Sequence, residues 1–198
     1  MILDHVDIAE PKILGYPHLA LESIRYIVIH RCSFAHWDAL QNRFPISNYD
    51  LAGTELAKRF RENAHLGTGH RVPYHLTITT GGQVEQLLPL NRRGAHACGV
   101  NWCSWAVTVI GDTDQREMHQ KQWEPLIETV RLMRDLCPQA EIVGHTDIPG
   151  AAGDPTKRCP GRKLSLDAVR RSVGRVVEAV TLEQATSSAL AAGLVLRR

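Results

Sequence analysis

The segment from Ile142 to Gly161, IVGHTDIPGAAGDPTKRCPG, sets an imidazole, a lysine and a thiol on one irregular loop leaving a short apolar run. Ile142 and Val143 are β-branched, so His145 falls where a strand would end, and Cys159 is held between Arg158 and Pro160. Both side chains could therefore face one point in space. Imidazole nitrogen and thiolate sulfur are the donors that zinc prefers, and a catalytic zinc takes three protein donors and keeps one position for water. The loop supplies two, so the third must come from elsewhere in the chain.

The run from Ile24 to His30, IRYIVIH, offers one. Its β-branched residues read as a buried central strand with His30 at the C-terminal end. In open α/β sheets, ligands sit at that edge. Taken alone, His30 reads more readily as a core histidine satisfied by a backbone group. A second strand-end histidine shifts the balance, because two imidazoles at the C-terminal edges of two strands can share one ligand.

Other elements must build the walls. Pro73 to Leu88, PYHLTITTGGQVEQLL, alternates on either side of Gly81 and Gly82 and reads as a β-hairpin. Tyr74 and His75 open its first strand and point to opposite faces, so only one can line a cleft. Tyr74 is either a sheet aromatic with its hydroxyl at the surface or a phenol hydrogen-bonded to reacting atoms. Arg92 to Asn101, RRGAHACGVN, is a glycine-punctuated loop on which His96 and Asn101 could contact a polar substrate, an ordinary loop being the equal alternative. Cys98 and Cys103 lack a second pair and read as structural thiols. A second β-prone run, WAVTVIG, covers residues 105 to 111.

Amphipathic spacing predicts helices over 50–63, 114–136 and 164–180. Pro125 falls near a first turn or at a kink of the second, and Ser165 begins the third. A polar and aromatic loop, 31–49, precedes the first helix, and its His36 reads as a solvated loop residue. The LGTGH stretch, 66–70, ends that helix. Residues 1–23 read as an irregular lead-in, 24–180 as one α/β domain, and the alanine-rich 181–198 as a helical tail.

Composition narrows the classes. At 198 residues the chain can build its own core, and a net charge of +2 is too weak to imply nucleic acid, so none is expected as a partner. The count of five cysteines is odd and irregularly spaced, which argues against a disulfide framework. The opening MILDHVDIAEPK lacks the basic and apolar regions of a secretory signal, so synthesis and folding in a reducing cytoplasm are expected. No apolar run is long enough for a stable membrane span, and a monomer is the expectation.

Three ordered blocks carry a family resemblance: YIVIH ending at His30, PYHLTITTGGQVEQLLPLNRRGAHACGVN from Pro73 to Asn101, and GHTDIPGAAGDPTKRCPG from Gly144 to Gly161. Together they resemble the zinc-dependent N-acetylmuramoyl-L-alanine amidases. That family takes in T7 lysozyme-type endolysins, AmpD-type amidases and peptidoglycan recognition proteins. The resemblance implies a mixed central β-sheet flanked by helices, with Zn2+ held by His30, His145 and Cys159. It also implies that Lys157 and Tyr74 are catalytic, the lysine as a cation beside a developing oxyanion. Where AmpD-type members carry an active-site glutamate this chain has Thr108, which leaves Tyr74 as the helper in water activation or proton transfer.

The implied activity is hydrolysis of the bond between N-acetylmuramic acid and L-alanine in peptidoglycan. Without an export signal, a phage or prophage endolysin released through a holin is the leading expectation, acting on the cell wall after release. A cytoplasmic amidase recycling soluble muropeptides fits the same absence. From another class, the resemblance admits a non-catalytic module that binds peptidoglycan or an RNA polymerase. A purely structural zinc site would require four protein donors.

Overall fold

The computed structural model describes residues 3–5, 17–32, 73–150, 158–174 and 187. Six strands form one sheet: β1 (Leu3–His5), β2 (Tyr26–Cys32), β3 (Leu76–Ile78), β4 (Val84–Gln86), β5 (Ser104–Ile110) and β6 (Glu141–Gly144). Their order is β1-β4-β3-β5-β2-β6. All neighbours run parallel except β3 and β4, which form the expected hairpin. Among the described residues, helices α1 (Gln120–Leu136) and α2 (Leu166–Val173) flank this sheet. The mixed sheet with flanking helices is thus the fold that the sequence implies.

Strand periodicity decides what each face carries. Ile27 and Ile29 of β2, Trp105, Val107 and Val109 of β5, and Leu76 and Ile78 of β3 join Leu126, Val130 and Met133 of α1 in one buried core. The residues between them point the other way. Val28 accordingly packs with Ala97 and Ile148 in a second, smaller cluster. His30 has the parity of Val28, so its imidazole leaves the main core and faces this second side.

Three elements differ from expectation. The lead-in contributes an edge strand, β1, parallel to β4. Strand β2 continues past His30 through Arg31 and Cys32, which pair with Val109 and Ile110. Helix α1 begins at Gln120 rather than 114, behind a capping box in which the His119 N–H donates to Gln122 Oε1 at 3.0 Å. Residues 112–114 are turned instead to hold a neighbouring loop, as described below. Pro125 lies inside α1 and leaves the Lys121 carbonyl without its usual helical donor. The hairpin turn packs there: Gly82 has φ +88, and a Cβ on it would stand 2.4 Å from that carbonyl oxygen.

Ser165 caps α2 as expected, its Oγ accepting from the Ala168 N–H at 3.2 Å. The expected helix over 50–63, the LGTGH stop and nearly all of the 31–49 loop lie outside the described residues, as do 175–180 and all of the tail except residue 187.

Candidate metal centre

Strand pairing brings the two histidines level. In the parallel β2–β6 ladder Ile29 lies opposite Gly144, so the next residues, His30 and His145, emerge side by side, with ring centroids 4.7 Å apart. β6 stops there because its end is turned by side chains. The Gly144 N–H donates to Asp147 Oδ2 at 2.9 Å, closing a single 3-10 turn over His145–Asp147. From α2, Arg170 donates through Nε to the Ile142 carbonyl at 2.9 Å and its guanidinium lies 3.5 Å from Asp147.

The cysteine loop is clamped from three sides. Arg31 donates through its backbone N–H to Cys159 Sγ at 3.4 Å and through Nε to the Arg158 carbonyl at 2.9 Å. Its guanidinium is fixed in turn by Asp112. Thr146 donates to the Cys159 carbonyl from its N–H and its hydroxyl, each at 3.0 Å. Beyond the cysteine, the Thr113 hydroxyl donates to the Pro160 carbonyl, and Gly161, at φ +104, lies so close to Thr113 that a Cβ would stand 2.4 Å from its carbonyl carbon. These contacts explain why 112–114 stay out of the helix.

The outcome is a compact donor set. One ligand atom from each of His30, His145 and Cys159 lies within 4.8 Å of the others, and His30 Nδ1 is 3.6 Å from Cys159 Sγ. Among the described residues, this three-member group is the one that could hold a metal ion. Two imidazoles and a sulfur suit zinc, with nitrogen and sulfur donors from well-separated parts of the chain. Burial pushes the Cys159 thiol up to about 11, against the opposing pull of the Arg31 N–H and charge. The sulfur therefore keeps its proton until a cation replaces it, as expected of a buried thiolate ligand.

Tyr74 is the hairpin residue that reaches this group, its ring centroid 5.0 Å from that of His30. His75 is committed to the scaffold. Its Nε2–H donates to the Arg92 carbonyl at 2.8 Å and its Nδ1 accepts from the Ala106 N–H at 3.0 Å. Burial lowers it to about 4, only partly offset by the Arg92 hydrogen bond.

His96 is buried beside the donor set, and Asn101 supports it from a half-buried position. His96 Nδ1 is 3.1 Å from His30 Nε2, and its Nε2 is 3.3 Å from Ser104 Oγ. Desolvation holds His96 well below the usual histidine range, with His75 and His145 adding to it and a Ser104 backbone hydrogen bond opposing. Asn101 Oδ1 accepts from the His96 and Ala97 N–H groups at 2.8 and 2.9 Å, bracing the loop. Lys157 lies outside the described residues. Thr108 stands directly beside His30 in the sheet, with Thr77 next along the same row, and neither hydroxyl has a hydrogen-bond partner among the described residues. Cys98 and Cys103 are free thiols, the first exposed and the second buried.

Reading the sequence missed Arg31, Asp112, Asp147, Arg170 and Ser104, all of which hold the donors in place. Ser104 had a signal, since it shares the strand parity of Thr108. Arg31, Asp112 and Arg170 act across 28 to 128 positions of chain and carry no local pattern, while Asp147 acts on Gly144 only three residues away.

A mixed parallel-dominated sheet that offers two histidines at neighbouring strand ends, with a cysteine on an adjoining loop, defines an α/β protein with a candidate zinc centre. The sequence profile of the N-acetylmuramoyl-L-alanine amidases matches residues 20–162, and the chain belongs to that family. Solved structures share the fold. The Ph2119 endolysin of a Thermus scotoductus bacteriophage is 23% identical, with a TM-score of 0.59 over 81% of this chain and 90% of its own. The endolysin amidase LysCS of Clostridium intestinale is 18% identical, with a TM-score of 0.60 over 80% and 88%. The Drosophila peptidoglycan recognition protein SA is 15% identical, with a TM-score of 0.59 over 79% and 83%. No curated protein sequence matches the chain. Among the described residues no helix is long and apolar enough to cross a membrane.

Proposed function

We propose that the protein is a zinc-dependent amidase that hydrolyses the bond between N-acetylmuramic acid and L-alanine, acting on peptidoglycan as an endolysin. The observation that carries this is the convergence of His30, from one strand, with His145 and Cys159, from the loop after another, on one site with ligand atoms within 4.8 Å. A set of three protein donors leaves a coordination position for solvent or substrate, unlike the four of a structural site. When bound, zinc would supply Lewis acidity, polarising the amide carbonyl and making water acidic enough to react near neutral pH.

The chain's own residues supply the rest. Tyr74, whose ring centroid lies 5.0 Å from that of His30, would orient water or pass a proton to the departing amine. Lys157, two residues before Cys159, would stabilise charge developing on the carbonyl oxygen. His96 and Asn101 contribute to substrate binding through the loop they brace. The amidase domain is taken as 24–180, with 1–23 as lead-in and 181–198 as tail. The protein works as a monomer on the cell wall after release from the cytoplasm, with no nucleic acid and no membrane insertion.

Intact sacculi and soluble anhydro-muropeptides, each incubated with zinc-loaded protein, test the reading. Release of free L-alanine amino groups from sacculi is expected, and Lys157→Ala should keep zinc while losing about a hundredfold in rate. Turnover of muropeptides alone would instead indicate recycling. Binding of sacculi without cleavage of either substrate would indicate a recognition module, the kind of relative represented by protein SA.

A further inference from the structure

We infer that His96 and Ser104 form a hydrogen-bonded relay that dictates which nitrogen of His30 carries its proton, so that the Nδ1 lone pair faces the donor site. The inference rests on the reading of that site as a zinc centre. Three contacts make the relay: His30 Nε2 to His96 Nδ1 at 3.1 Å, His96 Nε2 to Ser104 Oγ at 3.3 Å, and Ser104 Oγ to the Val100 carbonyl oxygen at 2.7 Å.

Only the far end has a fixed sense, and it propagates. A carbonyl oxygen can only accept, and 2.7 Å is the shorter of the two Ser104 contacts, so the hydroxyl donates its single hydrogen to Val100. The Ser104 oxygen is then left to accept, and the donor facing it is His96 Nε2–H. His96 is buried, which favours the neutral ring, and a neutral imidazole has one N–H. Its Nδ1 is therefore a lone pair that can only accept from His30. His30 thus holds its proton on Nε2 and keeps Nδ1 bare on the side where Cys159 Sγ lies at 3.6 Å. A histidine that ligates a metal through one nitrogen needs this arrangement at the other.

The relay also accounts for its supports. Ser104 opens β5 with the parity that faces the second side of the sheet, and Asn101 holds the His96 backbone in register through two N–H contacts. His96 is on this reading a positioning residue for the metal centre.

The test reads ring nitrogens directly. Two-dimensional 15N NMR of the zinc-free protein at mildly alkaline pH should show His30 and His96 both as Nε2–H tautomers. In His96→Phe, His30 Nε2–H loses its acceptor, and His30 should shift towards Nδ1–H. Zinc affinity, measured by competition with a chelator, should weaken on the order of 10- to 100-fold. His96→Gln, whose side-chain oxygen can accept from His30, should recover part of both. An Nδ1–H tautomer of His30 in the unmodified protein would overturn the relay, as would a His96→Phe variant with unchanged tautomer and affinity. If His96→Phe does not fold, the unmodified protein's spectrum still decides. Failure of the unmodified protein to bind zinc would overturn the metal-centre reading, and the zinc-free spectrum would still decide the relay.

Discussion

Adding one methyl group at Gly144 should damage the metal centre more than the fold. Gly144 ends β6 immediately before His145, and a Cβ there would stand 2.7 Å from Pro160 Cδ and 2.9 Å from Leu166 Cδ1. Carbon pairs settle at about 3.5–4.0 Å, so each contact is short by roughly 1 Å. The Leu166 methyl can rotate away. The Pro160 ring cannot, because Thr113 holds its carbonyl and Cys159 is bonded to it. Backbone strain does not enter, since Gly144 has φ −84, which any residue adopts. Overpacking of this kind costs about 1–3 kcal/mol. For a chain of this size that corresponds to a fall in Tm of about 2–12 °C. The strain is relieved most directly by moving Pro160, which carries Cys159 away from His145. Zinc affinity by chelator competition should therefore drop about tenfold or more. Gly99→Ala is the control: Gly99 has φ +82 and a Cβ there meets nothing within 4 Å. It should lose about 1–2 kcal/mol through backbone strain alone and keep its zinc affinity. A Gly144→Ala protein that binds zinc as tightly as Gly99→Ala would refute the reasoning.

Two further outcomes follow from the site. His75 is lowered to about 4 from an ordinary 6.5, so between those values the folded protein binds fewer protons than the unfolded chain. Its contribution is complete above pH 6.5 and is lost as pH falls towards 4, to the extent of roughly 3 kcal/mol. Urea midpoints across that window should fall more steeply for the unmodified protein than for His75→Gln, and parallel slopes would contradict the assignment. Cys159→Ser should lose zinc affinity by more than the roughly 10- to 100-fold typical of groups that only support a ligand. A chelator titration that leaves its affinity intact would remove Cys159 from the donor set.

Much of this was legible in the chain, for identifiable reasons. The β-branched runs that became β2 and β5 announced themselves, because a strand buried on both faces has little room for polar residues, and β6 showed through its Ile142–Val143 pair. Their ends gave His30 and His145, and the hairpin gave Tyr74. Strand β1 was not legible, since three residues at a sheet edge carry too little pattern. The start of α1 was placed six residues early because Thr113 and Asp114 look like helix but serve the cysteine loop through Pro160 and Arg162. The His30–His96 contact spans 66 positions, and its sense depends on where single hydrogens sit. The residue types there are readable along the chain, while the relay exists only in the folded arrangement.

The central claim is one ion shared by two imidazoles and a thiolate. X-ray absorption at the zinc edge of the stoichiometrically loaded protein tests it most directly. One sulfur scatterer at about 2.3 Å and two imidazoles at about 2.0–2.1 Å are expected, with the remaining position filled by a light atom. A shell without sulfur, or one with two sulfurs, would contradict it.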